Sequence, residues 1–227
     1  MLRNYFFDFA VLHDGKNRSK FINFFLNNKK CLYFNNKDIS ISHYDKIVKA
    51  LNDMGLDIKN CDLNILEEKL IEYNNKESLN DYAVLHYDEK WSNESYIKNF
   101  INIEPNKYEL VNFLNEIQKL TKLKIIITTG INTPKILNDI SNFLDKKKIS
   151  IKKNLTFLEL EKFIINSKLL ISCHGSVSHI ASALCIKQID IIDKSYHYSI
   201  WTKHFRNYNC IYRANFKKLS DDICKLL

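Results

Sequence analysis

Short apolar runs and amphipathic stretches alternate along most of this 227-residue chain. Tyr82–Tyr87, Lys124–Thr128, Ile149–Ile151, Leu169–Cys173, Gln188–Ile192 and Cys210–Tyr212 are apolar or nearly so and end on polar residues. Each has the length and composition of a buried strand. Between them, apolar residues recur at helical spacing, predicting helices over Lys107–Leu120, Pro134–Leu144, Thr156–Asn166, Ser176–Cys185, Ile200–Arg206 and Lys217–Leu226. Pro134 suits a first helical turn, with Thr133 before it as the cap. The earlier region is less regular. It reads as a strand at Phe6–Leu12, a loop at His13–Asn17, a helix at Arg18–Leu26 and a strand at Cys31–Phe34. Helical patterns follow at Tyr44–Met54 and Asn64–Tyr73. The polar stretch Asn74-Asn75-Lys76-Glu77-Ser78 suits a linker, which divides the chain into domains at 1–77 and 78–227.

Strands that are apolar throughout, rather than alternately, belong to sheets buried on both faces. Alternation with helices makes such a sheet parallel and doubly wound. Ligands of these sheets lie past the carboxyl ends of the strands. That rule gathers His86–Trp91, Thr128–Asn132, Cys173–His179 and Asp193–His197 around one crevice.

The junction from Leu169 to Leu184 is the most informative of these segments. An apolar strand runs into His174-Gly175-Ser176-Val177-Ser178-His179, and a helix with small residues follows. The amino end of such a helix offers unpaired N–H groups to an anion, most often a phosphate. Gly175 permits close backbone approach, Ser176 and Ser178 can bond phosphate oxygens, and His179 can donate from one turn into the helix. A plain helix cap would use similar residues, but two histidines and two serines at one junction favour a binding site. In Tyr87-Asp88-Glu89-Lys90-Trp91-Ser92, Lys90 could neutralise a diphosphate and Trp91 could wall the pocket; an exposed loop with a packed tryptophan fits equally. Thr128-Thr129-Gly130-Ile131-Asn132 can meet a ribose or base edge. Its glycine spacing matches neither a dinucleotide fingerprint nor a P-loop, which argues against a dehydrogenase or an NTPase. His13 and Asp14 follow the first strand, where they could transfer a proton or simply form an Asp-Gly turn. Asp193-Lys194-Ser195-Tyr196-His197, with Trp201 and Thr202, could form the far rim or an aromatic surface loop.

The net charge of +8 comes mostly from lysines spread over polar helix faces. It carries no argument for nucleic acid and only a mild preference for anionic ligands or an anionic membrane surface. The six cysteines are scattered without metal spacing, as expected of reduced cytoplasmic thiols. No apolar run approaches the roughly 20 residues of a membrane span, and Met1-Leu2-Arg3-Asn4 lacks a signal-peptide layout.

On these residues the second half resembles glycosyltransferase family 9, the family of the lipopolysaccharide heptosyltransferases. Lys90-Trp91 stand where the family has a Lys/Trp-bearing loop, and Ile125-Ile126-Ile127-Thr128-Thr129-Gly130 match its apolar strand and Thr/Gly loop. Leu155-Thr156-Phe157-Leu158-Glu159-Leu160 match its Leu-rich helix. The family signature Asp-Thr/Ser-Gly-x-x-His-x-Ala is similar to His174 through Ala181, with His179 and Ala181 kept and the acid replaced by His174. Tyr5 through Gly15, then Arg18-Ser19, resemble a strand and loop of the acceptor half. On this resemblance, Met1 is expected to fall downstream of the family's opening strand–turn–helix unit.

The resemblance implies a GT-B-like α/β fold: two Rossmann-like parallel-sheet domains, the N-terminal one incomplete. It implies inverting, metal-independent sugar transfer from a nucleotide-sugar, a substrate rather than a cofactor, to a saccharide or glycolipid acceptor. That activity belongs to lipopolysaccharide or cell-surface polysaccharide synthesis, in the cytoplasm with peripheral contact at the inner membrane. Lys90, His174, Gly175, Ser176, Ser178 and His179 would hold the donor diphosphate. Trp91, Thr129 and Gly130 would meet the nucleoside or sugar, and Asp14 or His13 would serve as base. Two other readings stay open: a non-catalytic nucleotide-sugar-binding module derived from such an enzyme, and an unrelated nucleotide-dependent epimerase.

Overall fold

A computed structural model of the chain describes residues 6–12, 17–33, 39–55, 81–92 and 100–227. The candidate bases His13 and Asp14, the helical pattern at Asn64–Tyr73 and the linker at 74–78 lie outside the described residues. In chain order the elements are β1 (Phe6–Leu12), α1 (Asn17–Phe24), β2 (Asn27–Tyr33), α2 (His43–Asp53), β3 (Tyr82–His86), α3 (Lys107–Thr121), β4 (Lys124–Thr128), α4 (Lys135–Ile140), β5 (Ile149–Lys152), α5 (Phe157–Ile165), β6 (Leu169–Cys173), α6 (Ser176–Ala183), β7 (Gln188–Ile192), α7 (Ser199–Thr202), β8 (Tyr208–Tyr212) and α8 (Phe216–Leu226). They fall into two compact units, Met1–Leu63 with His197–His204, and Asn64–Tyr196 with Phe205–Leu227.

In the first unit, β1 and β2 pair in parallel, with Phe6 opposite Asn27 and Leu12 opposite Tyr33. Ser42 caps α2 by accepting from the Asp45 amide at 3.1 Å. Trp201 of α7 stacks on His43 with ring centroids 3.8 Å apart, and Lys203 pairs with Asp45 at 2.6 Å. These contacts explain why the helix expected over Ile200–Arg206 is a single turn. Residues through His204 pack within the first unit, whereas Phe205 groups with the second.

The second unit is built on a six-stranded sheet in the order β5-β4-β3-β6-β7-β8, every pairing parallel. Strands β3, β6 and β7 are buried along their whole length, so the apolar runs of the sequence are strands covered on both faces. On one face α3 and α8 pack together, Phe113 meeting Phe216 edge to face at 5.4 Å. On the other, Val84 and Leu170 of the sheet meet Ile164 of α5 and Val177 and Ala181 of α6. The small side chain of Ala181 lets α6 lie close to the strands. Capping boxes fix the starts of two helices, Asn106 with Glu109 for α3 and Thr156 with Glu159 for α5.

Helix α4 is shorter than its apolar periodicity predicts. Pro134 is itself the cap residue, with extended ψ of 135°, and no side chain caps the helix. At the other end Ser141 turns back on Asn138, whose carbonyl accepts from the Ser141 hydroxyl at 2.8 Å and its amide at 3.3 Å. That local bond replaces the next helical one, while Leu144 beyond it stays buried. Strand β8 begins earlier than its apolar run, because Tyr208 is in register with Gln188 of β7.

Candidate functional site

The strand order reverses between β3 and β6, and at such a point neighbouring loops part and leave a crevice past the strand ends. His86 lies opposite Ser172, so the loop after β3 and the turn after β6 leave the sheet side by side. Lys90 pairs with Asp88, and His174 and Ser178 with Asp190, at this junction.

The β3 loop is held from below. Trp91 is fully buried, stacks on Tyr87 at 4.9 Å and donates its indole N–H to the His86 carbonyl at 2.9 Å. The pocket-wall position expected for Trp91 is therefore corrected: the loop doubles back and sends the indole into the core. Arg213, just past β8, reaches under the same loop. Its Nη2 donates to the Lys90 carbonyl at 2.8 Å and its Nε to the Ile101 carbonyl at 2.9 Å, and its Nη1 lies 3.6 Å from Cys173 Sγ. Burial, reinforced by Asp88, pushes the Cys173 thiol well above its ordinary range, so it stays protonated.

These braces aim Lys90. Asp88 is buried, accepts from the Lys90 amide at 3.1 Å and pairs with Lys90 Nζ at 3.1 Å. Burial draws the Lys90 pKa down, but Asp88, with smaller contributions from Cys173 and Glu89, raises it, and the net shift is upward. The ammonium thus keeps its charge while its side chain is only 20% exposed. It stands directly over Gly175, where a Cβ would collide with Lys90 Nζ. Gly175 is needed for that close approach and not for a special dihedral, since its φ of 176° is extended.

Asp88 also lies 3.6 Å from His86 Nε2, but burial lowers the His86 pKa and holds the imidazole neutral. Its Nδ1 is 3.0 Å from Thr128 Oγ1. Unfolded, this histidine takes up a proton below its ordinary value of 6.5, and folded it resists doing so. Stability is therefore full above that pH and falls as pH drops toward the lower folded value. Urea unfolding of the wild type against His86→Asn should show part of the acid-side slope removed by the substitution; identical slopes would leave His86 no part in it.

The β6 turn carries the other candidates. Ser176 and His179 are exposed at the amino end of α6. Ser178 faces inward: it is buried, and its hydroxyl donates to Asp190 Oδ1 at 2.8 Å. His174 Nδ1 meets Asp190 Oδ2 at 2.6 Å, and Tyr208 donates to the same oxygen at 3.1 Å. The His174 and His179 rings lie edge to face, 5.5 Å apart. After β4, Thr129 is buried and donates to the Gly130 carbonyl at 3.1 Å; a Cβ on Gly130 would stand 3.2 Å from Glu89 Oε2. The β3 and β4 loops are therefore close neighbours. Beyond β7, Asp193 accepts from the Ser195 amide at 2.8 Å, closing that turn on itself.

Structure thus brings Lys90, His174, Gly175, Ser176 and His179 to one place and adds Asp88, Asp190 and Arg213, which sequence reasoning passed over. Asp190 had one signal, a lone acid inside the apolar run Gln188–Ile192.

Solved glycosyltransferases share this architecture. The E. coli heptosyltransferase WaaC with ADP superposes with a TM-score of 0.68 at 10% identity, over 100% of this chain and 75% of that chain. The E. coli ADP-heptose lps heptosyltransferase II gives 0.61 at 10% identity, over 99% of this chain and 78% of that one. A glycosyl transferase family 9 structure from Veillonella parvula DSM 2008 gives 0.60 at 9% identity, over 96% and 67%. No protein-family model matches the chain, and no curated protein matches it by sequence. The chain has a heptosyltransferase-like, GT-B-type fold of Rossmann-like sheets. Among the described residues no helix is long and apolar enough to cross a membrane.

Proposed function

We propose that this chain is a glycosyltransferase that binds a nucleotide-sugar at the junction of β3 and β6 and passes the sugar to a saccharide or glycolipid acceptor. One observation carries the reading: a charged, braced Lys90 stands over Gly175 at the amino end of α6, where the sheet order reverses. A fixed ammonium facing helix N–H groups suits a diphosphate, and the similar E. coli enzyme WaaC is described with ADP.

In sugar transfer the donor's diphosphate leaves an oxocarbenium-like centre, so the barrier falls when the developing negative charge meets preset donors. Lys90, the α6 amides, Ser176 and His179 supply positive charge and hydrogen bonds of this kind, and metal-independent, inverting transfer is assigned from the resemblance to glycosyltransferase family 9. Thr129 and Gly130, on the loop adjoining Glu89, are assigned to the nucleoside side. Asp14 or His13 remains our assignment for the base that takes the acceptor proton. The setting we assign is lipopolysaccharide or cell-surface polysaccharide synthesis at the cytoplasmic side of the inner membrane.

Calorimetry with ADP, UDP and their sugar conjugates tests the site. Lys90→Ala should weaken the diphosphate that binds by about 1.5–3 kcal/mol, or roughly 10- to 150-fold, the scale of a charge-assisted hydrogen bond. Unchanged affinity would remove Lys90 from the site. A second reading, binding without transfer, is favoured by His174 standing where the resembled signature has an acid and being tied to Asp190. Release of sugar or of nucleoside diphosphate from a bound donor would reject it.

A further inference from the structure

Helices cover the six-stranded sheet unevenly on the face away from α3 and α8. There α5 sits over β3 and β6, where Ile164 meets Val84 and Leu170, and α6 follows over β6 and β7. Beside α5, above β4 and β5, lies an open groove of about 760 Å³. Its floor is apolar: Ile126 of β4, Phe163 of α5 and Tyr82 of β3, whose hydroxyl donates to the Phe163 carbonyl at 2.9 Å. Ile126 and Phe163 are only half-buried. No step of the proposed transfer uses this groove.

Its width is that of one helix. Neighbouring strands lie about 4.8 Å apart, so the middle of the β4–β5 pair is about 10 Å from the middle of the β3–β6 pair on which α5 rests. Packed helices keep their axes about 8–10 Å apart. A second helix laid along α5 would therefore cover β4 and β5 and close the apolar floor.

The rim is basic. Lys124, Lys152 and Lys162 line it, and all three are exposed. Of its two carboxylates, Asp81 is paired with Lys168, and Glu159 is tied to Thr156 at the start of α5, accepting from its amide and its hydroxyl at 2.8 Å. Counting Lys168, four ammonium groups meet two carboxylates. The charges are also spread out. Lys152 is opposite Thr128 on β4, four residues beyond Lys124, so the two lysines start about 13 Å apart along the groove. One phosphate or carboxylate head group would lie near one of them, whereas a helix of about nine residues spans both.

We infer that this groove is a docking site for an acidic amphipathic helix of a partner protein, with its apolar stripe on Ile126 and Phe163 and its carboxylates against Lys124, Lys152 and Lys162. The inference goes beyond the donor site and stands whether or not that reading holds. Charge selects among the candidate occupants. A second copy of this chain carries +8 and would bring mostly basic surface to a basic rim. A flat anionic bilayer would meet the lysines and leave the recessed floor empty.

Fluorescence anisotropy tests it with two labelled, end-blocked helical peptides of about 18 residues. Both carry leucine at i, i+3, i+4 and i+7 on an alanine background; one has glutamate on the flanks and the other lysine. The full chain should bind the glutamate peptide with micromolar affinity, weakened about tenfold when salt is raised from roughly 0.05 M to 0.5 M, and should not bind the lysine peptide. Lys152→Glu with Lys162→Glu should weaken the glutamate peptide about tenfold and create affinity for the lysine peptide, with unfolding in urea little changed because both side chains are exposed. The same reversal at Lys119 and Lys217, exposed on α3 and α8 of the other face, should leave both affinities within about twofold. Bound glutamate peptide should shift the methyl signal of Ile126 and leave that of Ile140, buried on the other face, in place.

The inference is overturned by affinity for the glutamate peptide no better than millimolar, by equal binding of both peptides, or by equal loss in the Lys119 and Lys217 pair. A methyl shift at Ile140 without one at Ile126 overturns it too. Sedimentation with one-to-three phosphatidylglycerol–phosphatidylcholine vesicles, and ultracentrifugation of the chain alone, test the other occupants. Vesicle binding or self-association that vanishes when Lys152 and Lys162 are reversed would assign the groove to that occupant instead of a partner helix.

Discussion

Trp91→Ala should lower the unfolding free energy by about 3–5 kcal/mol, the usual cost of removing a large buried aromatic ring. The ring is fully buried, faces Tyr87 at 4.9 Å and belongs to the same apolar cluster as Leu85, Ile103 and Phe216. Alanine would open a cavity in that cluster and leave the His86 carbonyl without the indole donor. Trp91→Phe keeps most of the volume and loses mainly the hydrogen bond, so it should cost about 1–2 kcal/mol. Urea unfolding of the two variants separates packing from hydrogen bonding. An alanine cost near that of an ordinary surface change, within about 0.5 kcal/mol, would contradict the buried position. Because Lys90 is the residue before Trp91, loss of the anchor should also weaken ligand binding in protein that is still folded.

Arg213→Leu should cost about 2–4 kcal/mol, from two carbonyls that lose their donors in the interior. The leucine fills part of the space, so the loss is mainly polar. Arg213 is buried, and it joins Ile101, Cys173 and the Lys90 carbonyl, groups from three separate parts of the chain. Its guanidinium also lies 5.7 Å from the centre of the Phe100 ring. Arg213→Lys tests the geometry: one ammonium cannot reproduce a planar fork that reaches two carbonyls and a sulfur at once. Lysine should therefore recover less than half of the lost stability. Full recovery in urea unfolding would show that charge alone suffices there.

The second unit was legible because its strands are short apolar runs, the inner ones β3, β6 and β7 being buried along their whole length. Lys124–Thr128, Leu169–Cys173 and Gln188–Ile192 run between the same residues in sequence and structure. Its helices were legible at their starts, where Asn106 and Thr156 cap them, and less so at their ends, where Ser141 folds back on Asn138. The β6 turn could be found because a strand, a glycine and hydroxyl residues stand in direct succession. Its supports could not. Asp190 acts from β7 and Arg213 from just past β8, and their partners are far away in sequence; the fold of the sheet brings them together. Trp91 was misplaced for a related reason. An aromatic residue in a polar loop looks the same whether it faces the crevice or the core, and tertiary packing decides between them.

The central pairing of β3 with β6 has a kinetic consequence. Ala83 aligns with Leu169, so this contact closes a long loop, and loop-closure entropy makes such pairings slow. The segments β3–β5 and β6–β8 each contain locally connected strands that can form sooner. Lys90 arrives with the first segment and Gly175 with the second. The crevice is thus absent from every intermediate that lacks the central pairing, and recovery of ligand affinity after dilution from urea should trail the return of helical signal.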